Sequence, residues 1–259
     1  MEWEAPAVVL EARAYGEADA IVAVMTEEHG LHRGLARGGS SRGQAAVWQP
    51  ANFVQVRWVA RLSDQLGNFS GEVIHANAAH VMHDPLALAM LTSVCAVAAD
   101  ALPEREPQPA VFAALLHLIA RLPLAGQAMP DLIKWEAELL AGLGFGLDLS
   151  SCAVTGATTG LAYVSPRTGR AVTRDAAGVW TSRLLRLPAF LTAPSDATPQ
   201  ATPADWRDGL RLTGHFLARD AFGHRHRPLP QARTMLYDRV ATLAQESEGA
   251  QESENQDAG

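Results

Sequence analysis

The sequence predicts an α+β protein, with a small five-stranded β-barrel at the N-terminus and then a mainly α-helical domain carrying a short β insertion. Three observations predict it. The apolar pattern has a period of two up to about residue 75 and a helical period from His80 onward. A Gly/Thr/Ser-rich stretch at 149–180 interrupts the helical part. Of 259 residues, 48% are hydrophobic and 19% charged, enough apolar material for one full core or two smaller ones, which excludes a wholly disordered chain. No run of about eighteen uncharged apolar residues is present, so no membrane span is expected. The N-terminus carries acids where an export signal needs bases, and Cys95 and Cys152 stand too far apart in sequence for a disulfide framework; a reducing cytoplasm is the expected setting.

Five segments read as strands. Ala7–Arg13, Ala20–Thr26 and Leu31–Arg37 are short, rich in Val, Ile and Ala, and broken by Tyr15-Gly16 and His29-Gly30. In Asn52–Ala60, Val54, Val56 and Trp58 face one way and Gln55 and Arg57 the other. Gly67–His75 is the fifth strand, after a turn at Ser63-Asp64, while Gly38–Gly43 reads as a flexible loop by composition. A long connection after the third strand fits an oligonucleotide-binding (OB) barrel, and an SH3-like barrel fits nearly as well. Helices follow: one opening at Pro85 and ended by Glu104–Pro109, one from Pro109, one with Asp131 as N-cap, then Asp205–Asp220 and Pro228–Ala244. The expected divisions are a barrel domain over 1–80, a helical domain over 81–245 with the insertion at about 149–180, a mobile Pro194–Pro203 linker, and a disordered acidic tail over 246–259.

The net charge of −7 conceals a strong segregation. Residues 1–28 sum to −6, while residues 29–63 hold five arginines and no acid; residues 161–245 sum to +6 and the tail to −5. Two basic blocks inside an acidic chain keep nucleic acid open as a partner. Arg33, Arg37 and Arg42 straddle the glycine loop and Arg57 projects from the fourth strand, as phosphate contacts require. Trp48, in the loop, is the expected stacking face for an unpaired base, with Phe53 and Trp58 assigned to the core. On the 205–220 helix, Arg207, Arg211, His215 and Arg219 recur at i, i+4, and Arg227 follows in the next loop. Like charges at that spacing repel, and an acidic peptide would relieve them; an ordinary surface helix, partly neutralised by Asp205, Asp208 and Asp220, is the competing reading. The acidic tail could fold back on this block.

Signals for catalysis are poor. Gly39-Ser40-Ser41-Arg42-Gly43 matches the nucleophile-elbow pattern in letters, but strands continue after it where that motif needs a helix. No GxxxxGK[ST] loop exists, and His80/His83 and His224/His226 lack Cys or carboxylate partners at ligand spacing, so no metal site is expected.

Three segments together resemble a family. Val9-Leu10-x-x-Arg13-x-Tyr15-Gly16-Glu17-x-Asp19 with Thr26-Glu27-Glu28-x-Gly30 and Ala36-Arg37-Gly38, then Leu139-Leu140-x-x-Leu143-Gly144-Phe145-Gly146 leading into Cys152, then Phe222-Gly223 to Arg227-Pro228-Leu229 with Arg233 and Leu236, are similar to the bacterial recombination mediator family RecO over roughly residues 5–245. The resemblance implies an OB barrel joined to a helical domain, no catalytic turnover, and binding of single- and double-stranded DNA with strand annealing. It further implies action in the RecF pathway of DNA repair and recombination: with the partner RecR, loading of RecA onto DNA coated by single-strand-binding protein (SSB), and docking of the acidic SSB tail. A nucleoid-associated cytoplasmic protein follows from that role. Arg33, Arg37, Arg42 and Arg57 are the positions that would inherit DNA contact; Arg207, Arg211, Arg219 and Arg227 are assigned to an acidic peptide by charge alone. Many members hold zinc through two Cys-x-x-Cys pairs in the insertion. Here only Cys152 remains, so no zinc is expected. The alternative function is a protein-interaction scaffold that does not itself touch DNA, motivated by the acidic first strands.

Overall fold

Alternation of apolar and polar residues makes β1 (Glu2–Tyr15) the longest strand of the chain, and the structure, a computed structural model, shows that it serves two partners. Its first half pairs antiparallel with β4 (Phe53–Val59) and its second half with β2 (Asp19–Thr26), the switch falling at a bulge between Val9 and Glu11. β3 (Gly30–Ala36) continues the sheet from β2, and β5 (Asn68–His75) pairs with β4. A short parallel contact, Leu35 with Asn68 and Ala36 with Phe69, closes the barrel in the order β1-β2-β3-β5-β4. The described residues are 1–62, 65–192 and 200–257, with side chains to 250; the Ser63-Asp64 turn and residues 194–199 of the linker lie outside them. All five expected strands are present. β1 starts five residues earlier than its periodicity suggested, because Trp3 and Ala5 face inward between the outward Glu2, Glu4 and Pro6.

Inward residues of every strand fill the barrel: Ala7, Val9, Val22, Val24, Ala36, Val54, Val56, Trp58 and Phe69. Gly34 is glycine because the Phe69 ring lies against it; a Cβ there would sit 2.6 Å from Phe69 Cδ2. One end of the barrel is lined by aromatic rings. Trp3 stacks on His29 with centroids 4.4 Å apart and lies 6.0 Å from Trp58, while His32 meets Trp58 edge-on at 4.7 Å.

Two compact units divide the chain by contacts, Met1–Ala128 and Met129–Gly259, and the first of them takes in the helices that follow the barrel. Helices α1 (Asn77–Val81), α2 (Pro85–Ala101) and α3 (Pro109–Arg121) belong with the barrel. The Asp84 carboxylate caps α2 by accepting from the amides of Leu86 and Ala87. The chain leaving α2 lies along β3, where Leu31 bridges to Glu104 and the Arg105 amide donates to Leu31 O at 2.7 Å. This covers a strand edge that would otherwise be open.

The second unit opens with α4 (Met129–Gly142), in which Asp131 sits inside the first turn rather than capping it. The stretch Pro109–Gly142, interrupted by Arg121, Asp131 and Lys134, includes a window of mean hydropathy 1.6, long and apolar enough to cross a membrane by composition alone. It is not one helix: Leu122–Ala128 is a 3-10 segment with Ala125 at φ 44°, ψ −112°. The insertion is a three-stranded sheet, β7 (Ala171–Thr173), β6 (Leu161–Val164) and β8 (Leu185–Arg186) in that order, so it reaches past residue 180; the short α5 (Arg174–Ala177) follows β7. Cys152, Tyr163, Val172 and Ala177 form its core. A capping box, Thr202 with Asp205, starts α6 (Pro203–Phe216), which runs on as a π-helical turn over Leu217–Phe222. The last helix, α7 (Gln231–Asp257), begins after Pro228 and Pro230 and continues through the segment expected to be disordered.

One polar cluster joins α4, α6 and α7. Arg233 and Glu136, each 1% exposed, pair through Arg233 Nε to Glu136 Oε1 (2.5 Å) and Nη2 to Oε2 (3.0 Å). Arg233 Nη2 also donates to Leu210 O at 2.7 Å, and the Thr213 hydroxyl donates to Glu136 Oε2. Removing one partner leaves the other charge buried and unpaired, a cost of about 3–5 kcal/mol. Glu136→Ala should therefore lose about that much stability in urea denaturation, and the double variant Glu136→Leu with Arg233→Met should recover most of it.

His32 is 4% exposed and neither ring nitrogen has a hydrogen-bond partner. Burial, with Arg105 and His29 nearby and Glu104 opposing, pushes its pKa down to about 4 from the ordinary 6.5. Between those values the unfolded chain binds a proton that the folded chain does not. Stability should thus fall as pH drops from about 6.5 to 4 and level off for this group below that. Thermal midpoints measured across that range should show a weaker decline in His32→Leu than in the native protein.

Candidate nucleic-acid interface

The segment after β3 is where the acid-free part of the sequence meets solvent. Gly38 has φ +66°, which bends the chain away from the strand, and its amide donates to Asp19 Oδ1 at 2.8 Å. Ser40 donates its amide to Ala18 O (2.8 Å) and its hydroxyl to Asp19 O (2.6 Å). Asp19, at the start of β2, thus anchors the turn. Composition suggested a flexible loop, yet consecutive hydrogen bonds, Gly39 to Ala36, Ser41 to Gly38 and Ala45 to Ser41, make it a series of tight turns. The sequence gives no local sign of this, because the acceptor lies nineteen residues upstream.

Arg37 and Arg42 stand exposed on either side of the turn. Arg37 Nε reaches Asn68 Oδ1 at 3.4 Å, and Asn68 pairs with Val59 of β4, two residues from Arg57. Among the described residues neither Arg37 nor Arg42 forms an ion pair. The acid-free stretch also contributes Arg61, exposed and without an ion pair among the described residues, which the sequence reading did not select.

The other expected DNA contacts are placed differently. Arg33 pairs with Glu104, and its Nη2 donates to Ala99 O at 2.9 Å; with a side chain 27% exposed it ties β3 to the chain leaving α2. Arg57 Nε sits 2.6 Å from Glu2 Oε1, both half-exposed, and that hydrogen bond holds the Glu2 carboxyl below the usual range. A surface pair of this kind exchanges readily for another anion. Trp48 is not a stacking face. The turns of 41–47 fold it into the barrel, 3% exposed, with its ring 6.3 Å from Phe69 and Asn52 Nδ2 donating to Ala46 O beside it. Phe53 is half-buried against His75, and Trp58 lies in the core as expected.

In the second unit the arginine stripe is largely committed to the fold. Arg207 contacts Asp208 (3.5 Å) and Glu248 of α7 (3.1 Å), so the acidic C-terminal segment does reach the basic block. Arg219 grips Asp220 with two bonds of 2.7 Å, donates to Pro166 O and Arg167 O, and stacks 4.8 Å over the Phe216 ring. His215 Nε2 lies 3.0 Å from Pro166 O. The π-helical turn also breaks the i, i+4 register that drew the stripe. Arg211 and Arg227 remain exposed. Around Cys152 the neighbours are the hydroxyls of Thr155 and Thr173, and the Thr173 amide donates to Sγ at 3.4 Å. One thiol with two hydroxyls does not fit the nitrogen and sulfur donors that structural zinc takes. Among the described residues no three His, Cys, Asp or Glu side chains gather at a metal-like site.

A closed OB-type barrel with an exposed basic turn, followed by helices and a small sheet, defines an α+β protein of the OB-barrel class with an appended helical unit. Residues 1–77 match the family described as Recombination protein O N terminal, and residues 82–228 match Recombination protein O C terminal. DNA repair protein RecO of Granulibacter bethesdensis is 58% identical over 246 residues, covering 95% of this chain and 98% of its own. The protein of the same name from Gluconacetobacter diazotrophicus is 58% identical, covering 94% and 96%, and that of Rhodospirillum rubrum 43%, covering 93% and 96%. The chain belongs to the RecO family of DNA repair proteins.

The anchoring role of Asp19 can be checked directly. Asp19→Ala removes the acceptor of the Gly38 amide, which should cost about 1 kcal/mol. Hydrogen exchange should then accelerate at Gly38 and Ser40 while the paired amides of β2 and β3 stay protected.

Proposed function

We propose that the chain is a non-catalytic DNA-binding mediator of the RecF pathway, acting in the cytoplasm on nucleoid DNA. It binds single- and double-stranded DNA through the turn after β3, anneals complementary strands, and with RecR helps load RecA onto SSB-coated DNA. The observation that carries this reading is the pair Arg37 and Arg42, exposed, without an ion pair among the described residues, and held on a turn that Asp19 fixes. Arg57 adds a third guanidinium once phosphate displaces Glu2. On the second unit, Arg211 and Arg227 are the exposed cations for the acidic SSB tail, with Arg207 joining when Glu248 releases it.

A protein-interaction scaffold that leaves DNA to its partners is the second reading. It is favoured by the carboxylates of Glu104 and Glu2, which engage Arg33 and Arg57.

The two readings separate on one variant. Arg37→Glu with Arg42→Glu in the full chain should weaken binding to single-stranded DNA. It should also reduce the slope of log K against log salt by about 1.4, since two phosphate contacts are lost at about 0.7 each. Anisotropy titrations unchanged at two salt concentrations would rule this turn out as the DNA contact. Annealing of complementary oligonucleotides, with and without SSB and without any nucleotide, should slow in the same variant.

A further inference from the structure

We propose that the aromatic end of the barrel is a pocket for a single unstacked nucleobase, distinct from the Arg37–Arg42 turn; this rests on the DNA-binding reading above. The cleft holds about 440 Å³, within the range of small-molecule sites, and opens where β1 begins and β4 ends. Trp3, His32 and Trp58 form its inner wall; His29, Glu28 and Arg105 stand among the residues that complete the lining.

Three features specify the guest. The wall is aromatic and largely apolar: Trp3 and Trp58 lie nearly parallel at 20°, and His32 stands edge-on to both. Flat rings of this kind favour a planar guest by stacking. His32 then presents a polar demand. It is buried with both ring nitrogens unpartnered, and native proteins rarely leave such a group without a reason. A neutral imidazole offers one donor and one acceptor, so the guest that satisfies it carries an acceptor and a donor on its edge. Lastly, charge is unwelcome. Burial first, and then Arg105 and His29, disfavour a cation at the imidazole, and Glu2 and Glu28 in the lining oppose an anion inside. A neutral heteroaromatic ring with hydrogen-bonding edges meets all three conditions, and a nucleobase is that ring. An aliphatic or phenyl side chain would leave the imidazole unsatisfied.

Placement suits a strand that also touches the basic turn. His32 and Arg37 lie on the same strand and its exit, five residues apart, a separation of about 17 Å along the chain. Arg105 at the rim, whose Nη2 donates to Gln65 O, provides positive charge for the phosphate of the inserted nucleotide.

The test uses the full chain and 2′-deoxyadenosine and thymidine, which carry no phosphate. Tryptophan fluorescence should respond saturably to these nucleosides at millimolar concentrations. The response should be lost in His32→Leu, which keeps the volume and removes the unpaired nitrogens, and in Trp3→Ala. A thermal midpoint for His32→Leu at or above the native one establishes that loss of response is not loss of fold. In a second arm, a thymidine oligonucleotide should bind the native protein about five- to tenfold tighter than one with an abasic position, and the two should bind His32→Leu alike. No saturable nucleoside response, or one unchanged in both variants, overturns the pocket even if oligonucleotides bind. Binding of N-acetyl-tryptophanamide in place of nucleosides overturns it in favour of a protein side chain. A nucleoside response without oligonucleotide binding supports the pocket and overturns the DNA-binding reading instead.

Discussion

Barrel closure rests on a parallel contact only two residues long, Leu35 with Asn68 and Ala36 with Phe69. Among the described residues nothing else pairs β3 with β5, and much of what surrounds the contact follows from the constraint. Phe69 must enter the barrel against β3, so position 34 has no room for a side chain. The Leu35 amide donates to Gly67 O at 3.0 Å, which fixes where β5 starts and sets Asn68 beside Arg37. Beyond the contact the two strands are free of each other, and the Arg105 backbone takes up the β3 edge while the turn of 37–48 closes one end with Trp48. The opposite end is left to Trp3, His32 and Trp58. One narrow seam thereby shapes both the Arg37–Arg42 turn and the aromatic end, the two places proposed above to meet DNA.

Electrostatics sorts the arginines into two kinds. Arg33, Arg219 and Arg233 are tied to backbone carbonyls as well as to carboxylates, so each bridges elements and carries no free charge outward. Arg37, Arg42, Arg61 and Arg211 are exposed and form no ion pair among the described residues. Arg57 and Arg207 fall between, each with a carboxylate that a stronger anion can displace, since exposed pairs contribute little to stability. A count of bases in a block cannot separate these kinds, because the deciding partner is supplied by another element.

Much of the fold was legible in the sequence. Period-two alternation gave all five strands, and the proline and glycine punctuation gave the main helices. What escaped had a non-local cause. The family matches meet near residue 80 as expected, but the packing of the first helices on the barrel, through Arg33 and the Leu31–Glu104 bridge, rests on contacts about seventy residues apart. Trp48 looked like a loop residue until the 41–47 turns carried it inward. Of the candidate site, the exposure of Arg37 and Arg42 was legible in the acid-free stretch 29–63. Asp19 and Asn68, which position them, are polar residues in strands and gave no signal. The aromatic end was missed because Trp3 precedes the first obvious alternation, His29 reads only as part of a turn, and nothing in the sequence singles out His32.

The helical unit shows why a basic block need not be a binding face. Folding three helices around Glu136 requires a counter-charge in the interior, and Arg233 fills that place with bidentate geometry that lysine could not supply. Gly214 lies against it, where a Cβ would come 3.3 Å from Arg233 Nη2, so the sequence of α6 is shaped around the buried guanidinium. Arg219 repeats the arrangement at the surface, joining the π-helical turn to the Pro166–Arg167 loop of the insertion. The +6 of residues 161–245 is therefore partly a structural charge, present because arginine links elements through several donors at once. What remains for an acidic partner is narrow. Arg211 and Arg227 are exposed and Arg207 is held by Glu248, so an anion that takes Arg207 must outcompete the chain's own α7.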